Sequence, residues 1–269
     1  MLLPGTVENI MERALFIKNI SDLSTYNLKK INVIYYGSEF CEKLIPSLDK
    51  ITEVYDFCIK NNIKFAFITP YITSQSIDLL DSIFYKLSKI LNKISPIEII
   101  INDYGTLVLL RKYKELNKTF GRVLNKQKRD PRLEDTEFLV KWDIEDEGNL
   151  FNTFYLQKLK DENITRIEMD NVKINFFNNN DFKFNLSLYY PYVFLTTTRL
   201  CLFNRSFDVT NVEVIGECNL QCTKLPFFEL ENKIMHKNLI LKGNSIFYTK
   251  KLSKNILMKK NIDRVVFEL

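Results

Sequence analysis

Several things are scarce in this sequence. It has one histidine, one tryptophan and seven glycines in 269 residues, and it is very poor in alanine. A Ser-His or Cys-His nucleophile system needs an imidazole beside the nucleophile. The only histidine, His236, sits in the charged stretch "ENKIMHKNL", so proteolysis of that type is not expected. No His-Glu-x-x-His occurs, which removes the common zinc-peptidase helix. So few glycines leave little room for a phosphate-cradling loop, and none follows the first strongly apolar segment. There is no apolar run long enough to cross a bilayer. The N-terminal stretch lacks the basic, apolar and small-residue order of a signal peptide. Five cysteines is an odd number without a disulfide-framework spacing, so a cytoplasmic location with free, metal-competent thiols is expected. The net charge of +5 is weak evidence for a nucleic-acid partner, because the Lys, Ile and Asn bias has a compositional explanation.

What is present is a repeat of apolar strands. "INVIYYG" (31–37), "KFAFITP" (64–70) and "IEIIIND" (97–103) recur at even spacing, each nearly continuous in β-branched and aromatic residues. Such runs suit strands covered on both faces. Amphipathic helical patterns lie between them, the signature of βαβ units. Further strands are expected at 164–170, 173–177, 185–198, 238–250 and 262–269. The reading is an α/β, TIM-barrel-like fold spanning 1–269 as a single domain, incomplete or distorted in its second half. The alternative is an open doubly wound sheet.

Barrel sites lie in the loops after the strands' C-terminal ends. That rule points to the loop holding Cys41, to the turn at Asp103, and to the segment after "FLTTTRLC" holding Cys201. Cys218 and Cys222 follow in "ECNLQC". A Cys-x3-Cys pair fits cluster ligation, zinc or coincidence. The radical-SAM pattern fails because Leu225 stands where a third cysteine belongs. Four scattered thiolates can each take one iron of a cubane; zinc knuckles more often use a two-residue spacing; buried thiols acting as small hydrophobes are the plain reading. The fifth, Cys58, falls on an apolar helical stripe with Ile51, Val54, Tyr55 and Ile59 and is expected to pack on the sheet, away from the mouth.

"NVIYYGSEFCEKL" followed by "TTTRLC" and "GECNLQC" resembles the UbiV-like group of the collagenase-like peptidase superfamily, which includes UbiU and RNA hydroxylation factors. "INDYGTLVLL" is similar to that family's Asp-x-Gly turn. The resemblance implies a barrel holding a [4Fe–4S] cluster on Cys41, Cys201, Cys218 and Cys222. It also implies a part in oxygen-independent hydroxylation, beside a paralogous barrel subunit as a heterodimer. The alternatives are a collagenase-like peptidase and a non-enzymatic module with a structural zinc site. Two stretches, the Cys201–Cys218 loop and 120–135, depart from the family pattern and leave the substrate open.

Other residues carry paired readings. Asp103 caps a following helix or faces substrate at the mouth. Arg122, Lys126, Lys128, Arg129 and Arg132 crowd one stretch; they seat an anionic small molecule or RNA phosphate, or form a solvated loop. Arg199 and Arg205 flank Cys201 and either steady its thiolate or pair with barrel carboxylates. Glu168 and Asp170 face the mouth or pair with Arg166 or Arg199.

Overall fold

The structure is a computed structural model. It describes residues 11–90, 96–134, 148–172, 182–199, 201, 218–225, 227–231, 233–234, 237–253 and 262–268. The expected strand at 173–177, Arg205 and His236 lie outside them.

Eight parallel strands close into a barrel. They are β1 (Glu12–Ile17), β2 (Val33–Gly37), β3 (Lys64–Ile68), β4 (Glu98–Ile101), β5 (Asn117–Phe120), β6 (Ile164–Asp170), β7 (Asn185–Tyr190) and β12 (Ile262–Glu268), with β1 pairing both β2 and β12. The expected barrel is present, and it is closed rather than incomplete. The irregular second half has a definite form. Between β7 and β12 the chain makes a four-stranded antiparallel sheet in the order β8 (Tyr192–Thr197), β11 (Ser245–Thr249), β10 (Leu239–Lys242) and β9 (Phe228–Leu230). The expected strand 185–198 is therefore two strands, parted at a cis Tyr190–Pro191 bond. The expected strand 238–250 is a hairpin turning at Gly243 and Asn244.

Strand parity sorts the core. Ala14, Phe16, Tyr35, Ala66, Ile100 and Tyr189 meet inside the barrel. Residues of the opposite parity, such as Leu15, Ile34, Phe65 and Phe67, pack outward. Against them lie α1 (Leu48–Lys60), α2 (Ile77–Lys89), α3 (Tyr104–Leu109) and α4 (Thr153–Asp161). Helix α1 buries Ile51, Val54, Tyr55 and Cys58, and α2 buries Leu80, Ile83, Phe84 and Leu87. Both stripes follow the helical period, and each large apolar side chain so buried contributes roughly 1.5–3 kcal/mol. Two glycines permit close approach at the mouth. Gly37 has φ +137°, and a Cβ there would stand 2.2 Å from the Ile68 carbonyl oxygen; one on Gly121 would stand 2.1 Å from Asn102 Oδ1. No described helix is long and apolar enough to cross a membrane.

Candidate functional site at the barrel mouth

The interior is polar at both ends. At the N-terminal end Arg264 donates to Glu12 at 2.8 Å and to both oxygens of Glu98 at 2.9 Å, while Arg166 pairs with Asp263 at 2.6 Å. Burial opposes ionisation of Glu12, but Arg264 and Lys64 outweigh it and hold its pKa at about 2. Midway along the axis, Tyr35 donates to Glu168 at 2.7 Å and accepts from Arg264 at 2.7 Å. Burial pushes Glu168 up to about 7. Tyr189 stands near enough to favour the carboxylate, yet Tyr189 Oη and Glu168 Oε2 make no well-formed hydrogen bond.

Arg122 fills the C-terminal mouth. It is fully buried and makes a two-pronged pair with Glu39 at 2.9 and 2.6 Å. It also donates to Asp170 at 3.0 Å, Glu268 at 2.9 Å and the Tyr192 carbonyl at 3.2 Å. Its guanidinium lies 3.8 Å from the Tyr189 ring centroid, and the Phe40 and Phe247 rings stand within 6 Å. Arg129, also buried, bonds Asp170 at 2.6 Å and the carbonyls of Arg122, Asn125 and Gln127. The expected anion-seating or solvated loop is thus corrected for these two residues. Both are turned inward: Arg122 is spent on carboxylates that arrive from distant parts of the chain, and Arg129 on Asp170 and on carbonyls of its own segment. Lys126 is exposed and Arg132 pairs with its neighbour Asp130.

Burial raises Glu39 to about 7 despite Arg122. Glu268 is equally enclosed but has Lys242 at 2.8 Å as well as Arg122, and it is held below the ordinary carboxylate range. Asp170 also accepts from the Phe194 amide at 3.0 Å, which ties β6 to the inserted sheet. Glu168 and Asp170 therefore face inward, and their partners are Tyr35, Arg122 and Arg129 rather than Arg166 or Arg199. Asp103 caps α3, accepting from the Gly105 amide at 2.6 Å and the Thr106 amide at 3.3 Å. Its plain reading is the observed one. Arg199 is exposed and reaches the Ile72 carbonyl at 3.5 Å.

Four cysteines gather on one side of this mouth. Cys41 follows β2, and Ser38 Oγ donates to its carbonyl at 2.9 Å and accepts from its amide at 3.3 Å. Cys201 follows β8, a strand of the inserted sheet rather than a barrel strand as expected. Burial raises the Cys41 thiol, and the charges of Cys218 and Cys201 add to it. Cys222 is pushed up to about 11 by burial, then by Cys201, Cys41 and Cys218. The four are thus close enough for their charges to act on one another. The Gly243–Asn244 turn links the loop of Cys41 to the end of β8 and lies against Cys222. Asn244 Nδ2 donates to the Phe40 and Thr198 carbonyls, each at 2.8 Å, and a Cβ on Gly243 would stand 3.9 Å from that of Cys222. Among the described residues, no three His, Cys, Asp or Glu side chains are arranged to hold a single metal ion. Cys58 lies apart in α1, fully buried, its thiol pushed to about 12 by burial alone.

Beside the cysteines, between the ends of β1 and β2 and the inserted sheet, is a cavity of about 560 Å³. Cys41 and Cys222 share its wall with Lys18, Lys242, Glu39 and Glu268. The lysines and Asn244 had not been singled out from the sequence. The Gly-Asn pair in "LKGNSI" is a hairpin signal that marks the turn; nothing local marks the lysines.

No family model matches this chain, and no curated protein matches it. Among solved structures the chain is similar to a U32 peptidase at 11% identity and a TM-score of 0.49, covering 96% of this chain and 92% of that one. It is similar to a glycoside hydrolase family 18 N-acetylglucosaminidase from Paenibacillus barengoltzii at 7% identity and a TM-score of 0.39, covering 96% and 94%. It is also similar to a class V chitinase from Nicotiana tobaccum at 8% identity and a TM-score of 0.39, covering 96% and 93%. At such scores these likenesses say nothing about the chemistry of this chain.

Proposed function

We propose that this chain is an iron–sulfur protein whose barrel mouth carries a [4Fe–4S] cluster on Cys41, Cys201, Cys218 and Cys222. The observation that supports this is the gathering of four thiols from three separate segments, in one another's electrostatic field, around a single hairpin turn. Cys41 and Cys222 are raised first by burial and then by the neighbouring cysteines, and a shared cation would offset both costs on deprotonation. The donor set therefore fits the group. When bound, such a cluster supplies one-electron transfer.

The chain's own residues prepare the place. Ser38 fixes the backbone of Cys41, and Asn244 ties the residue before Cys41 to the strand that leads to Cys201. Lys18 stands near enough to Cys222 for a thiolate there to favour its ammonium. With all four donors supplied by protein, no iron is left open, which suits electron transfer or ordering of the mouth better than Lewis-acid chemistry. On its free-thiol cysteine usage we place the protein in the cytoplasm, and on the sequence resemblance in an oxygen-independent hydroxylation or related modification pathway, beside a paralogous barrel subunit.

Protein purified without oxygen should be brown and hold iron and acid-labile sulfide in equal amounts, about four of each per chain. Serine at Cys41, Cys201, Cys218 or Cys222 should remove most of both, while Cys58→Ala should keep them. Zinc without sulfide would return the site to the structural-zinc alternative. Peptide cleavage by the iron-free protein would favour the peptidase. Iron lost from the Cys58 variant and kept in the Cys41 variant would show the wrong fourth ligand.

A further inference from the structure

The charges around the mouth do not balance inside the cavity. Glu39, Asp170 and Glu268 face Arg122, Arg129 and Lys242, three carboxylates against three cations, joined by the bonds given above. Lys18, Lys43, Lys50 and Lys224 line the cavity beside Lys242, so five lysines stand in its wall against two carboxylates, Glu39 and Glu268, and Glu268 with the nearby Asp22 acts on Lys18. Counting Cys41 and Cys222 as thiolates still leaves one positive charge in excess among the lining residues. The wall between the lysines is apolar, with Phe16, Leu44 and Phe247 among the lining residues. The volume suits a small organic molecule.

We propose that this cavity binds a small organic anion, a carboxylate or phosphate ester, with its charge on Lys18 and its body against Phe16 and Phe247. Lys18 stands at the end of β1, where a barrel presents ligand-binding groups. Lys18 is exposed at the mouth, yet partial enclosure by the cavity wall and the neighbouring Lys242 ammonium hold its pKa below the ordinary value, with Glu268, Asp22 and Cys222 opposing. An anion entering between the two ammonium groups would relieve that repulsion. Lys242 is already engaged with Glu268 and lies 3.9 Å from the Tyr192 ring, so it sets the floor of the site while Lys18 meets the ligand. The site needs no cluster, and its test stands apart from that of the metal.

The experiment is calorimetric titration of the full chain, at low salt, with benzoate and separately with inorganic phosphate. At least one should bind, and the affinity should fall as salt is added. Preference for benzoate assigns a carboxylate with an apolar body; preference for phosphate assigns a phosphate ester. Lys18→Gln should weaken binding about tenfold, the loss expected for one charge-assisted hydrogen bond. Lys18→Arg should retain most of it, and Lys60→Gln, on the exposed end of α1, should change nothing. Lys18 projects from the surface of the mouth, so these variants should fold as the parent does. Failure of both probes to bind, or equal weakening by Lys18→Gln and Lys60→Gln, would overturn the proposal.

Discussion

Replacing Arg122 by glutamine tests whether the mouth is built around one guanidinium. Arg122 holds Glu39 through two bonds, Asp170 and Glu268 through one each, and stacks on Tyr189 at 3.8 Å. Asp170 retains Arg129 and Glu268 retains Lys242 when Arg122 is lost. Glu39 retains neither, and it is almost fully buried. Removing one partner of a buried pair costs about 3–5 kcal/mol, and because Glu39 is already raised to about 7 with Arg122 in place it takes up a proton when Arg122 is lost, which holds the cost to the lower end of that range. The lost cation–π contact adds about 1–2 kcal/mol. A total near 5 kcal/mol is a large part of the 5–15 kcal/mol that holds a typical domain together.

Urea denaturation of Arg122→Gln, Glu39→Gln and the double variant measures this directly. Glu39→Gln keeps Arg122 paired with two carboxylates and should cost less, about 1–3 kcal/mol. The double variant strands no charge at Glu39, so it should be more stable than the sum of the two losses by at least about 1 kcal/mol. Arg122→Lys should fall between parent and Gln, since one ammonium cannot span three carboxylates and a carbonyl. Additive losses, or an Arg122→Gln cost below about 1 kcal/mol, would refute the stranded-charge reasoning.

Two further expectations concern stability alone. Burial lifts Glu168 from an ordinary 4.5 to about 7, so the folded chain holds that proton more tightly than the unfolded chain does; its contribution is present below about pH 4.5 and is lost as pH rises to about 7, roughly 3 kcal/mol in all. Glu168→Gln, which can still accept from Tyr35, should remove that share of the pH dependence, and identical profiles for parent and variant between pH 4.5 and 7.5 would contradict the assignment. Asp103→Ala should cost about 1 kcal/mol through loss of the α3 cap while Asp103→Asn costs less, as read by thermal unfolding; equal loss in both would point to the carboxylate charge instead.

The parts legible in the sequence are those set by short-range pattern. The strands β2, β3 and β4 are continuous apolar runs, and their boundaries fall within two or three residues of the expected ones. The Cys58 stripe and the Asp103 cap follow from helical period and N-cap chemistry. β1 and β5 went unread for a physical reason. β5 is "NKTF", four residues with Thr119 facing the polar interior, and β1 opens with Glu12 and Arg13, which leaves an apolar run of only four residues, Ala14 to Ile17. The burial of Arg122 was not legible at all. Its partners lie 83 residues before it and 48 and 146 residues after it, and only barrel closure brings them together. A dense run of basic residues looks the same in sequence whether it is solvated or turned inward.

The same closure decides where a ligand can sit. In a barrel the axis of the C-terminal mouth is the usual place for one. Here that axis is filled by Arg122 and its carboxylates, and roofed by Phe40, Phe194 and Phe247, whose rings stand 4.8–6.1 Å apart. Phe194 and Phe247 belong to the inserted sheet, and Phe40 to the loop that Asn244 holds against it. The insertion that seals the axis therefore also opens the lateral space between itself and the ends of β1 and β2. It carries Cys201, Cys218 and Cys222 to the loop of Cys41, and it brings Lys242 opposite Lys18. Candidate ligand site and candidate cluster site follow from one topological event, the replacement of a simple crossover between β7 and β12 by a second sheet.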